Sequence, residues 1–182
     1  MTARTSSRLR SADWLSAGLA ALAQGGPGAL AAEPLARRLG TTKGSFYWHF
    51  TDLPAYQAAL LEEWEQEARA RPLAAIADTE GSVARLRALA QHLACPSEAG
   101  AADRAIRAWA LSHPDAAAAV ARIDAACAML LRDHLAELGI ANPEIARLVQ
   151  ATGIGMAAME AASPDEAARA MGSLVDLILA LR

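Results

Sequence analysis

Apolar residues recur at three- and four-residue spacing along almost the whole chain, and Gly, Pro and small polar capping residues cut the pattern into segments. Trp14, Leu15, Gly18, Leu19 and Leu22 share one face of a helix predicted over residues 12–24, stopped by Gly25-Gly26-Pro27-Gly28. A second helix is predicted over 32–39. Gly40 is placed to supply a left-handed residue after it, and Thr42 to cap a short third helix reaching Phe50. Six more helices follow from Asp52. In the fourth, Tyr56, Leu60 and Trp64 repeat at four-residue spacing until Pro72 closes it. The fifth starts at Ser82 and sets Val83, Leu86, Leu89 and Leu93 on one side. The sixth carries Ile106 and Trp109 and stops near His113-Pro114. The seventh, over 115–138, turns Val120, Ile123, Cys127, Leu130 and Leu131 inward, and Asn142-Pro143 and Ser163-Pro164 start the last two.

This pattern predicts an all-α protein of nine helices, with a three-helix head over residues 1–51 and a six-helix body over 52–182. Composition agrees: alanine makes up about a quarter of the chain against four valines, which favours helix and offers little to a sheet. No signal peptide or long uncharged apolar run opens the chain, so a cytoplasmic protein without a membrane partner is expected.

The formal charge of −3 argues against a polyanionic partner until it is divided by region. Residues 1–50 hold Arg4, Arg8, Arg10, Arg37, Arg38 and Lys43 against Asp13 and Glu33, a net of +4, while the other 11 basic and 18 acidic residues leave −7 on the body. A basic head on an acidic body points to a head that meets nucleic acid. The segment from Leu35 to Phe50, LARRLGTTKGSFYWHF, has the anatomy of a helix-turn-helix. At 100° per residue Phe46 and Phe50 lie within about 40° of each other and anchor the third helix, while Gly44 and Trp48 point away. Exposed aromatics on so short a helix need a partner, and DNA supplies one. Lys43 and Ser45 are the candidates for base edges, Tyr47 and His49 for phosphates, and Trp48 for a sugar or thymine methyl. Gly44 leaves room for the backbone to approach, and Thr42 stands at the helix start.

These residues resemble the TetR family of bacterial regulators, whose most recognisable stretch is Leu-Ala-x-x-Leu-Gly followed by Lys-Gly-Ser-Phe-Tyr-x-His-Phe. The likeness extends back through Asp13-Trp14-Leu15 and Gly18-Leu19 to Gly26, and forward into Ala105 to Ala110. It implies a nine-helix regulator that binds a palindromic DNA operator as a homodimer, represses transcription, and is released by a small-molecule inducer held between helices 5 to 7. The chain departs from the family pattern at Ala31, where a capping Thr is usual, at Pro34, which removes the N–H that cap would meet, and at Leu53, a position commonly basic. Fewer phosphate contacts follow. The competing reading is a helical adapter or ligand-binding protein of the same fold with weak or lost DNA binding.

In the body, Trp64, His92, Trp109, Cys127, Met129 and His134 are candidate walls of an inducer pocket, although each also suits a plain helical core. His92 with Cys95, and Cys127 with His134, share helix faces, but no short ligand spacing supports a metal site and nothing nearby favours a redox pair of Cys95 and Cys127. No cofactor is expected. Nor is an enzyme, since the chain has no nucleophile elbow, phosphate loop or His-rich metal helix. A dimer contact is expected from an apolar band of Ile145, Leu148, Val149, Thr152, Met156 and Met159, with small Gly153 and Gly155 beside it, and from Met171, Leu174, Val175 and Ile178 on the last helix.

Overall fold

Local capping sets most helix ends in the computed structural model, which describes residues 9–94, 98–159 and 163–181. Among them are nine α-helices: α1 (Ser11–Gly25), α2 (Ala32–Arg38), α3 (Lys43–Tyr47), α4 (Leu53–Ile76), α5 (Ser82–Ala94), α6 (Glu98–Ala110), α7 (Pro114–Glu137), α8 (Pro143–Ala158) and α9 (Pro164–Ala180). A 3-10 turn, Pro27–Leu30, joins α1 to α2, and no strand occurs among the described residues. Asp52 accepts from the Ala55 N–H at 2.7 Å to start α4, and Asn142 accepts from the Glu144 N–H at 3.0 Å to start α8. Ser163 and Glu166 cap α9 reciprocally: the Glu166 N–H donates to the Ser163 hydroxyl at 3.3 Å, and the Ser163 N–H to the Glu166 carboxylate at 2.8 Å. After α2, Gly40 takes φ 64°, which lets its N–H reach the Arg37 carbonyl and the Thr41 N–H reach the Ala36 carbonyl. α2 itself starts at Ala31 with no side-chain cap, as its sequence requires.

Two boundaries differ from the sequence expectation. α4 does not close at Pro72 but runs through it to Ile76, leaving the Ala68 carbonyl without its usual helical donor. Packing of this helix against α5 and α7 outweighs that loss. α3 ends at Tyr47, so Phe50 lies in the turn beyond it, and its N–H still reaches the Phe46 carbonyl at 3.1 Å.

The buried residues form two cores, and the first includes residues on both sides of position 51. One joins Trp14, Leu22, Leu35, Phe46 and Phe50 of the head to Tyr56, Leu60 and Trp64 of α4, Ile106 and Trp109 of α6, and Ile123 of α7. Each such side chain removed from water is worth about 1.5–3 kcal/mol, so head and body are fastened by apolar burial. The other core joins Leu86 and Leu89 of α5 to Leu131 and Leu135 of α7, Val149 of α8, and Met171, Val175 and Ile178 of α9.

That second core takes up part of the expected dimer band. Val149, Met171 and Val175 are 0% exposed and Ile178 is 9% exposed within the single chain, because α5 packs against both α8 and α9 and takes up their broadest apolar faces. A Cβ at Gly153 would stand 2.6 Å from the Leu93 Cβ, so this glycine admits α5 of the same chain, whereas the position of a Cβ at Gly155 is open. Of the residues expected at the contact, Ile145, Thr152, Met156 and Leu174 keep partial exposure, and Leu148 and Met159 are exposed. Leu177 and Leu181, not among those expected, are exposed as well. No helix among the described residues is long and apolar enough to cross a membrane.

Candidate nucleic-acid interface and inner cavity

Phe46 is fully buried and makes edge contacts with Trp14 at 5.4 Å and Tyr56 at 5.1 Å, while Phe50 lies 4.9 Å from the Tyr56 ring. This aromatic cluster holds α3 on α1 and α4 from one side, as the helical angles predict. The opposite side is open: Trp48 is 80% and Tyr47 50% exposed, and Thr42, Lys43 and Gly44 are exposed with them. Ser45 and His49 are half-buried on the flanks, His49 against the Trp14 ring. The Thr42 hydroxyl accepts from the Ser45 N–H at 3.4 Å, a long cap. A Cβ at Gly44 would meet only the Thr42 hydroxyl at 3.7 Å, ordinary contact, so nothing in the chain itself demands a glycine there.

Of the basic residues in the head, Arg4 and Arg8 lie outside the described residues. Arg10 pairs loosely with Asp13 at 3.8 Å, and Arg38 donates to the Gln24 side chain at 2.8 Å, which ties α2 to α1. Lys43 and Arg37 are exposed. Leu53 packs against the first core, so this position supplies apolar contact where a base would supply charge.

Between the two cores α4, α5, α6, α7 and α8 enclose a cavity of about 290 Å³. Its apolar walls come from Ala68, Pro72, Leu93, Ile123, Cys127 and Ile154, and its polar groups are built in pairs. Asp103 accepts from Arg71 at 2.8 Å and from the Trp64 indole at 2.6 Å. Asp124 takes both ends of the Arg107 guanidinium, at 2.5 and 3.0 Å, and the Gln150 amide at 3.3 Å. Burial, aided by the charge of Arg71 and opposed by Asp103, holds His92 below its ordinary range. Burial likewise pushes the Cys127 thiol up to about 11, with Asp124 adding and Arg107 opposing.

The six residues expected at a pocket are thus dispersed. His92 and Cys127 line the cavity, and Trp64 reaches it only through Asp103. Trp109 is buried in the first core with its ring 4.5 Å from His113, His134 is buried beside Glu137 at the far end of α7, and Met129 is 59% exposed in an outer groove. A large or soft side chain at helical spacing goes to core as readily as to a cavity. The sequence reading missed Arg71, Asp103, Arg104, Arg107, Asp124 and Gln150, which occupy positions indistinguishable from a solvated helix face. Cys95 lies outside the described residues, and the protonated thiol of Cys127 is a poor nucleophile and ligand. Among the described residues no three His, Cys, Asp or Glu side chains gather as a metal site would need.

Residues 15–52 match the family model for bacterial regulatory proteins, tetR family. No curated protein sequence matches the chain. Its fold is similar to that of a transcriptional regulator from Rhodococcus sp. Rha1, with TM-score 0.79 at 20% identity over 94% of this chain and 97% of that one. It is similar also to a TetR-family regulator from Streptomyces coelicolor, with TM-score 0.72 at 18% identity over 98% and 91%. A transcriptional regulator from Saccharomonospora viridis solved in complex with choline has TM-score 0.68 at 16% identity over 91% and 95%. At these identities the likeness is one of fold.

Proposed function

We propose that this chain, a DNA-binding regulator of the TetR type by its helix-turn-helix and its fold, represses transcription as a homodimer on a palindromic operator and is released when a small molecule fills the inner cavity. The observation that carries the reading is α3. It exposes Lys43, Tyr47 and Trp48 above a fully buried Phe46, so the helix is held rigidly by one side and presents large amphipathic groups on the other. Lys43 and Ser45 face base edges. Tyr47 and His49 bond phosphates, Trp48 packs on a sugar or a thymine methyl, and Thr42 and Gly44 bring the helix start close to the backbone.

The dimer contact is the outer side of α8 and α9. Leu148, Thr152, Gly155 and Met159 follow one another at three- or four-residue steps along α8 and its C-cap, and Leu174, Leu177 and Leu181 do so along α9 and its C-cap. Leu148, Met159, Leu177 and Leu181 are each more than half exposed, and Gly155 leaves room for a facing helix. A two-fold pair formed there would carry two recognition helices to successive major grooves. In the cell the protein is cytoplasmic.

The test is selection of a binding site from random duplex DNA, followed by titration of that site at several salt concentrations. An inverted repeat with half-sites about one helical turn apart or more, bound two chains per site, is the expected result. Affinity should fall as salt rises, with a modest slope for a dimer because the head carries few basic groups. Failure to enrich any sequence would overturn the reading in favour of an adapter that kept the fold and lost DNA binding.

A further inference from the structure

The charges of the cavity wall do not cancel. Arg71, Arg104 and Arg107 face Asp103 and Asp124, and two of the three arginines are engaged, Arg71 with Asp103 and Arg107 with both oxygens of Asp124. Arg104 is different. Its guanidinium donates to the main-chain carbonyl of Ala157 at 3.3 Å, and among the described residues no carboxylate lies within ion-pair distance of it. Among the described residues the wall thus sets three arginines against two aspartates. No Trp, Tyr or Phe ring lines the cavity, because Trp64 and Trp109 are spent in the core, so the aromatic faces that hold a quaternary ammonium are missing.

A second space lies on the other side of the cavity's apolar wall. This space of about 310 Å³ between α4 and α7 shares Ala68, Pro72, Ile123 and Cys127 with the cavity, and its remaining wall is Leu73, Ala126, Met129 and Leu130, with Arg69 and Asp133 at the rim. A polar chamber whose Arg104 has no carboxylate partner among the described residues thus backs onto an apolar slot, with small and aliphatic side chains between the two. The two halves ask for different ends of one molecule.

We propose that the cavity binds a monoanionic amphipath, its carboxylate on Arg104 and its alkyl chain running past Cys127 between α4 and α7 toward Met129. The assignment rests on reading the cavity as the inducer site. It goes further by naming the ligand's chemistry. The carboxylate completes the charge balance of the wall, and the chain removes the Leu73, Leu130 and Met129 surfaces of the slot from water.

Isothermal calorimetry on the DNA-free protein tests this with three probes of equal chain length below their micelle concentrations: decanoate, 1-decanol and decyltrimethylammonium. Decanoate should bind most tightly. Arg104→Gln, a change at an exposed side chain, should weaken decanoate about tenfold while leaving decanol within about twofold. Cys127→Phe should plug the shared wall and shift preference from decanoate to hexanoate. Tighter binding of the ammonium probe, an Arg104→Gln protein that binds decanoate like wild type, or a chain-length preference unmoved in Cys127→Phe would each overturn the proposal. Because DNA is absent, loss of operator binding would leave this result readable. Decanoate that binds as expected yet leaves a bound operator in place would uphold the ligand class and overturn the inducer role.

Discussion

The phenolic hydroxyl of Tyr56 donates to the main-chain carbonyl of Trp14 at 2.9 Å, with both side chains 0% exposed. The bond joins α4 to α1 at the point where the aromatic cluster holds α3, and Gly18 makes it possible. A Cβ at position 18 would stand 1.9 Å from the Tyr56 hydroxyl. From Tyr56, α4 continues to Arg71 and Pro72 in the cavity wall, a reach of roughly 22 Å at the helical rise. One helix therefore runs from the helix-turn-helix to the cavity wall.

Gly18→Ala should destabilise the protein by about 1–3 kcal/mol, because the methyl group must displace the hydroxyl from a packed site. Tyr56→Phe should cost about 1 kcal/mol, since the Trp14 carbonyl keeps its helical partner and only the phenol bond is lost. Urea denaturation measures both. A neutral Gly18→Ala would contradict the packing described.

Lys43 and Tyr47 should separate reading from positioning. Lys43→Ala should reduce the preference for operator over random DNA by about 1–3 kcal/mol if the ammonium meets a guanine edge. Tyr47→Phe should weaken both DNAs alike. Fluorescence anisotropy on the two duplexes decides it, and equal losses for Lys43→Ala would move that residue to the phosphate.

Leu177 and Val175 are two residues apart on α9 and differ in everything else. Leu177→Glu, at a 58% exposed position, should give a folded and soluble monomer that has lost tight operator binding. Val175→Glu, at a fully buried one, should unfold the chain by placing an unpaired charge in the second core. Ultracentrifugation with circular dichroism reports both, and a Leu177→Glu dimer would sink the proposed contact.

Glu65 gives a pH signature. Hydrogen bonds from Arg122 at the facing helix hold its carboxyl below the usual range, burial opposes them, and Arg69 adds to them. A depressed carboxylate contributes stability above its unfolded pKa and loses it as pH falls through the folded value. The melting temperature of Glu65→Gln should therefore lie below that of wild type at neutral pH, and the gap should close as pH drops below about 4. A gap that widened in acid would be incompatible with this ion pair.

The helices, their caps and the reading head were legible in the sequence because each is decided within a few residues. Asn142, Ser163 and Gly40 act on neighbouring main-chain groups, and the faces of α1 and α3 are narrow enough for spacing to identify the buried side. Pro72 misled because its local cost was outweighed by packing that lies far away in sequence. The same distance hid the rest. α8 and α9 each carry apolar residues on two sides, and only the docking of α5 decides that Val149 and Val175 turn inward while Leu148 and Leu177 face out. Arg71, Asp103, Arg107 and Asp124 read as a solvated face until three helices bring them around one cavity, since charge pairing between helices has no period along a chain. What the sequence determined by itself was local hydrogen bonding and helical phase; which faces meet, and so where ligand and partner can sit, was decided by tertiary packing.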